Sequence, residues 1–117
     1  MAVWEGERPT SDQDAVQTFE ALYEQYVEQD DSTEPSPRIR EFVSALLERF
    51  PDLEALPDDE VDDSPWADSP LIANASGPFI YFGMVTNPAA EDAWELATKT
   101  AAQLGLVAFD PQSGEVA

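Results

Sequence analysis

Carboxylates are the chemically capable side chains that this sequence concentrates. Asp58-Asp59-Glu60-Val61-Asp62-Asp63 places five of them in six consecutive positions, with Ser64-Pro65-Trp66 directly behind. Hard cations such as calcium and magnesium take oxygen ligands of this kind. The spacing departs from the EF-hand loop, because there is no Asp-x-Asp-x-Asp-Gly and no Glu at the twelfth position. No specific metal site is therefore expected. A general acid and base pair needs carboxylates in a cleft with separated pKa values, and nothing in the spacing marks such a pair.

Other chemistries are limited by what the chain lacks. With no His and no Cys there is no Ser–His or Cys–His nucleophile, no disulfide frame, and none of the usual zinc ligands. The one lysine, Lys99, falls on the outer side of a predicted helix, whereas a Schiff-base or general-base lysine needs burial. The 5 glycines are scattered at turns and form no phosphate-binding loop. No cofactor is expected, and binding is favoured over catalysis.

The charge balance points the same way. There are 25 Asp and Glu against 5 Lys and Arg, a formal net charge of −20. Residues 1–70 hold 20 of the acids and residues 71–117 the other 5. Such a chain repels nucleic acid and anionic membrane, since binding to either draws on cationic contacts. It attracts a protein partner with a basic surface, over a range that physiological salt cuts to about 8 Å. The acidity also has a bland reading, as general solubility or adaptation to high salt. No run of about 18 apolar residues occurs, and the first residues are neither basic nor strongly apolar, so neither a membrane span nor a signal peptide is expected. The expected compartment is the cytoplasm. The 117 residues, 43% of them hydrophobic, suffice for one folded domain with its own core.

The elements that must position these residues are legible in order. Met1-Ala2-Val3-Trp4 reads as a first strand. Ser11 stands before Asp14 at capping-box spacing, and Ala15, Val16, Phe19, Leu22, Tyr23, Tyr26 and Val27 recur at three and four, predicting an amphipathic helix over 12–29. Asp30 to Pro35 is a polar loop. Ser36-Pro37 then gives a cap and an N1 proline for a second helix, lined by Ile39, Phe42, Val43, Leu46, Leu47 and Phe50 and ended by Pro51. Its Arg38, Arg40 and Arg49 are expected to pair with nearby acids rather than bind phosphate. Residues 52–68 form a long acidic loop, which at that length is either disordered or functional. Trp66 at its end is expected to pin it to the core.

Leu71 to Ala75 reads as a strand and Ser76-Gly77-Pro78 as a turn. Phe79 to Val85 is apolar on both alternating faces and reads as the central strand. Gly83 within it suggests a bulge or the close approach of an aromatic ring. Tyr23, Tyr26 and Tyr81 are expected to complete the core. Asn87-Pro88 starts a third helix whose inner side carries Ala90, Ala93, Trp94, Ala97, Ala101 and Leu104, and Gly105 stops it. Leu106 to Phe109 is a further strand, Asp110 to Gly114 a turn, and Glu115 to Ala117 a short edge segment. In Asp110-Pro111-Gln112, Asp caps the turn, Pro fixes φ and Gln can bond back to backbone.

Right-handed crossovers and short connections turn this order into an α+β fold: a four-stranded, mainly antiparallel sheet in a split βαβ, ferredoxin-like arrangement with an extra helix. Strands one and three lie in the middle and the helices on one face. The second face is either covered as well or serves as a binding surface.

Taken together, Ala2-Val3-Trp4-Glu5-Gly6, Pro37-Arg38-Ile39-Arg40, Ser64-Pro65-Trp66-Ala67 with Pro70-Leu71, Gly77-Pro78 through Met84, and Gly105-Leu106-Val107 with Phe109-Asp110-Pro111-Gln112 resemble a family of small acidic proteins common in high-GC Gram-positive bacteria. Its members share a "VW" strand, a "PW" after an acidic loop and a C-terminal "GLV-x-FDPQ". The resemblance spans nearly the whole chain. Proteins of this kind occur as candidate immunity proteins beside secreted toxins, so the resemblance implies a role in inhibition and carries no catalytic residues with it.

Three functional readings result. The first is a non-enzymatic, immunity- or antitoxin-like binding protein that neutralises a cationic partner, such as a toxin acting on nucleic acid. Its expected partner-binding residues are Asp58, Asp59, Glu60, Asp62, Asp63 and Trp66. The second is a small enzyme or ligand-binding domain with a pocket between sheet and helices. The third is a homodimer joined through an open sheet face.

Overall fold

The computed structural model describes residues 1–28, 33–67 and 69–116. Helices and an antiparallel sheet make an α+β fold, with strands β1 (Ala2–Glu5), β2 (Ala75–Ser76), β3 (Phe79–Tyr81), β4 (Leu106–Asp110) and β5 (Glu115–Val116) in the order β2-β3-β1-β4-β5. β1 pairs antiparallel with both β3 and β4, so the first and third strands are central, as expected. The fifth strand is the hairpin return of β4.

Each helix begins where a side chain satisfies an otherwise orphaned backbone N–H. Ser11 Oγ accepts from Asp14 N at the start of α1 (Asp12–Tyr23), and Ser36 Oγ from Ile39 N at the start of α2 (Pro37–Arg49). Asn87 does the same for α3 (Pro88–Gln103) through Ala90 N. α1 is shorter than the stretch 12–29 predicted for it. Beyond Tyr23 the backbone widens into a π turn over Glu24–Glu28, which carries Tyr26 onto the face of Phe79, ring centroids 6.2 Å apart. Residue 29 and residues 30–32 of the polar loop lie outside the described residues.

Side chains alternate strictly across the central strands, and both faces are covered. Val3, Ile80, Leu106 and Ala108 point to a core shared with Ile39, Phe42 and Leu46 of α2 and with Ala93, Ala97 and Ala101 of α3. Ala2, Trp4, Phe79, Val107 and Phe109 point the other way, under Ala15 and Phe19 of α1. The expectation of all helices on one face is therefore corrected. α2 and α3 hold the face anticipated for them, and α1 is the extra helix on the opposite one. This explains why the central strands read as apolar on both sides. It also removes the open sheet face through which a homodimer was expected to join.

Two other expectations change. Leu71 to Ala75 is not a strand: Leu71–Asn74 forms a short 3-10 turn, and only Ala75–Ser76 pairs with β3. The Leu71 N–H is taken by Asp52 Oδ1 at 2.8 Å instead of a neighbouring strand. The central strand is also shorter than Phe79 to Val85. Regular pairing ends at Tyr81, after which Phe82 N donates to Met1 O at 3.0 Å and the chain turns away to meet the end of the acidic loop. At Gly83 a Cβ would stand 3.4 Å from Ala67 Cβ, and among the described residues beyond its chain neighbours no ring atom comes within 4 Å of it.

Candidate functional site

The acidic loop is held at both ends. At its start Pro51 follows α2 and Asp52 accepts from Leu71 N. At its end Ser64, Pro65 and Trp66 are buried, the Trp66 indole donates to Phe50 O at 2.7 Å, and Trp66 N donates to Ser64 Oγ at 3.2 Å. Val85 N donates to Pro65 O and Ala67 N to Gly83 O, so the loop end runs against the segment that leaves β3. Between the anchors, 3-10 turns over Leu53–Ala55 and Val61–Asp63 hold the chain in place. Residue 68 of the expected loop lies outside the described residues.

Among the six residues expected to meet a partner, Asp58, Asp59, Glu60, Asp62 and Asp63 are all exposed. Trp66 differs. It is 2% exposed, edge-on to both Phe50 and Phe82, and faces the core. Its part is to fix the loop. None of the five carboxylates forms an ion pair with a described basic residue, although Arg49 lines a small pocket with Glu60 and Asp63. Arg40 pairs with Glu34 at 3.6 Å, Lys99 with Glu95 at 3.8 Å, and Arg49 lies over the Phe50 ring at 5.4 Å. Among the described residues, no three His, Cys, Asp or Glu side chains converge on a position where a metal ion would sit.

Beside the loop lies an open groove of about 740 Å³, which the sequence did not single out. Its walls include Tyr81, Met84, Glu91, Trp94, Asp110 and Gln112, drawn from β3 and the segment after it, the first turns of α3, and the turn after β4. The Asp110-Pro111-Gln112 turn is capped by Asp110 as expected, with the Gln112 backbone amide as the bonded group. Asp110 accepts from Gln112 N and from Ser113 Oγ, each at 3.0 Å, and Gly114 N closes onto Asp110 O at 2.8 Å. The same residues that make the turn thus make one wall. On the opposite side Asn87 lines the groove and ties it to the acidic loop, donating through Nδ2 to Ser64 O at 3.0 Å and to Asp62 O at 3.4 Å.

The α-amino group of Met1 also lies along the groove and donates to Phe82 O at 2.7 Å. Burial lowers its pKa from the ordinary 8.0 to about 6, against an opposing pull from the Asp110 carboxylate. Near neutral pH this amine is largely uncharged, so Glu91 and Asp110 set the sign of the groove. Among the described residues, no helix is long and apolar enough to cross a membrane. Compared with known proteins, the chain matches no family model, no curated protein and no solved structure.

Proposed function

We propose that this chain is a non-enzymatic acidic binding protein that captures a protein partner with a basic surface. The observation that carries the reading is the loop of Asp58, Asp59, Glu60, Asp62 and Asp63: five exposed carboxylates, unpaired with any described basic residue, on a backbone anchored at both ends. An anchored loop loses little conformational freedom on association, and complementary charge speeds encounter. A toxin enzyme acting on nucleic acid would present a fitting surface, because acidic side chains can occupy a groove made for phosphate. The family resemblance of the "VW", "PW" and "GLV-x-FDPQ" segments agrees with an immunity-like role in the cytoplasm.

The test begins with capture of partners from the native host at low salt and their release at high salt. The association rate of the recovered partner is then measured with the chain and with a variant in which Asp58, Asp59, Asp62 and Asp63 are Asn. The expected result is a rate at least about tenfold lower for the variant and falling with salt for the parent chain, within the range of electrostatic steering. A rate indifferent to both mutation and salt would end the proposal.

A further inference from the structure

We infer that the groove beside the acidic loop seats a long cationic side chain, arginine above all, from an extended segment of the basic partner; this rests on the binding reading above. Three features of the groove favour that occupant. Among its described lining residues the charged side chains are Glu91 and Asp110, with no Lys or Arg. Trp94 is part of the same lining, and a guanidinium gains from an aromatic face as well as from carboxylates. Val85, also in the lining, is 41% exposed, leaving apolar surface for the methylene stem of such a side chain.

The groove has the span for a segment rather than for one side chain alone. Its volume of about 740 Å³ exceeds that of one arginine several-fold, and it stays open along one side. Asn87 links it directly to the acidic loop, bonding the carbonyls of Asp62 and Ser64 while capping α3. A chain lying along the groove would thus have its remaining basic residues beside Asp62 and Asp63. The loop supplies long-range attraction and the groove supplies the seat.

The probe is N-acetyl-Gly-Arg-Gly-amide, titrated into the isotopically labelled full chain at fixed ionic strength and followed by amide and indole NMR shifts. Its counterpart carries citrulline, the neutral near-isostere of arginine. Saturable shifts are expected at the Trp94 indole and at the amides of Gly83, Met84, Val85 and Gln112. The citrulline peptide should bind at least tenfold more weakly. Glu91→Gln should weaken the arginine peptide about threefold and Glu91→Lys tenfold or more, with an unchanged circular dichroism spectrum confirming the fold of each. Replacing Asp58, Asp59, Asp62 and Asp63 with Asn should leave this short probe within twofold.

Shifts scattered over the acidic surface without saturation would overturn the inference, as would equal binding of the citrulline peptide or indifference to both Glu91 variants. Any of these could coexist with salt-sensitive capture of a basic partner, in which case the groove assignment falls and the binding reading stands. Saturable groove binding without any basic partner would do the reverse.

Discussion

The indole Nε1 of Trp66 donates to the backbone carbonyl of Phe50 at 2.7 Å, joining the two ends of the acidic loop across 16 residues. That carbonyl belongs to the C-cap residue of α2, where helix geometry leaves C=O groups without intrahelical partners. One side chain therefore completes a helix end, fills the core beside Phe82 and fixes where the loop begins and ends. Replacing Trp66 with Phe should keep most of the apolar contact and leave the carbonyl unpaired. The expected cost is about 1–3 kcal/mol, measured by urea unfolding. Wild-type stability in that variant would show that the bond contributes nothing.

Phe82 lies outside the regular strand yet is 2% exposed, against Phe42 of α2 and Trp66. Phe82→Ala should cost about 3–5 kcal/mol, as for other buried aromatic truncations. Chemical denaturation checks it. A loss under 1 kcal/mol, roughly a conservative change by the same scale, would contradict the buried position.

Asp58, Asp59, Asp62 and Asp63 are exposed and repel one another. Changing all four to Asn should leave the melting temperature equal or slightly higher, because relieved repulsion favours the compact state. Thermal unfolding at low and at high salt separates this from a structural role. Loss of cooperative unfolding would mean that the carboxylates hold the loop rather than await a partner.

The pH range from 6 to 8 isolates one group. The chain contains no His and no Cys, so the Met1 α-amino group titrates there without competition. Its folded pKa is lowered to about 6 from 8.0, so between these values the unfolded 117-residue chain binds more protons than the folded one. Stability should rise with pH across this window, complete above pH 8 and lost below pH 6. The gain is at most about 2–3 kcal/mol, at roughly 1.4 kcal/mol per pH unit. Urea unfolding at pH 6 and pH 8 measures it directly. A flat profile would show that the amine keeps its water in the folded state.

Gly77 adopts φ +52°, and a Cβ there would stand 3.4 Å from the Tyr26 hydroxyl. Its amide and carbonyl also bond Thr33 O and Ser36 N, which together cover the edge beside β2. Gly77→Ala should destabilise by about 1–2 kcal/mol through the left-handed backbone alone. Chemical denaturation checks this as well, and a neutral result would place the strain elsewhere.

What the sequence determined by itself was local. Ser11, Ser36 and Asn87 start helices because each sits one residue before a helical stretch with an oxygen that reaches the N3 amide, and Pro51 stops α2 because proline cannot continue it. The Asp110 turn and the φ +72° stop at Gly105 were legible for the same reason, since neighbours in the chain supply their partners. The charge and the exposure of the 58–63 carboxylates followed from composition, with Val61 the one apolar residue among them.

Tertiary structure decided the rest. A stripe of apolar residues at helical spacing shows that α1 is covered on one side, but not which face of the sheet covers it. Leu71 to Ala75 is a short apolar run that reads as a strand, yet an amide bond to Asp52, 19 residues back, gives it another partner. Trp66 looked equally fit to meet a partner or to anchor a loop, and the carbonyl of Phe50 makes it an anchor. The groove had no sequence signature because Tyr81, Trp94 and Asp110 come from three elements that serve the core or a turn at their own positions. Only the tertiary arrangement of those elements brings Trp94, Glu91 and Asp110 to one groove.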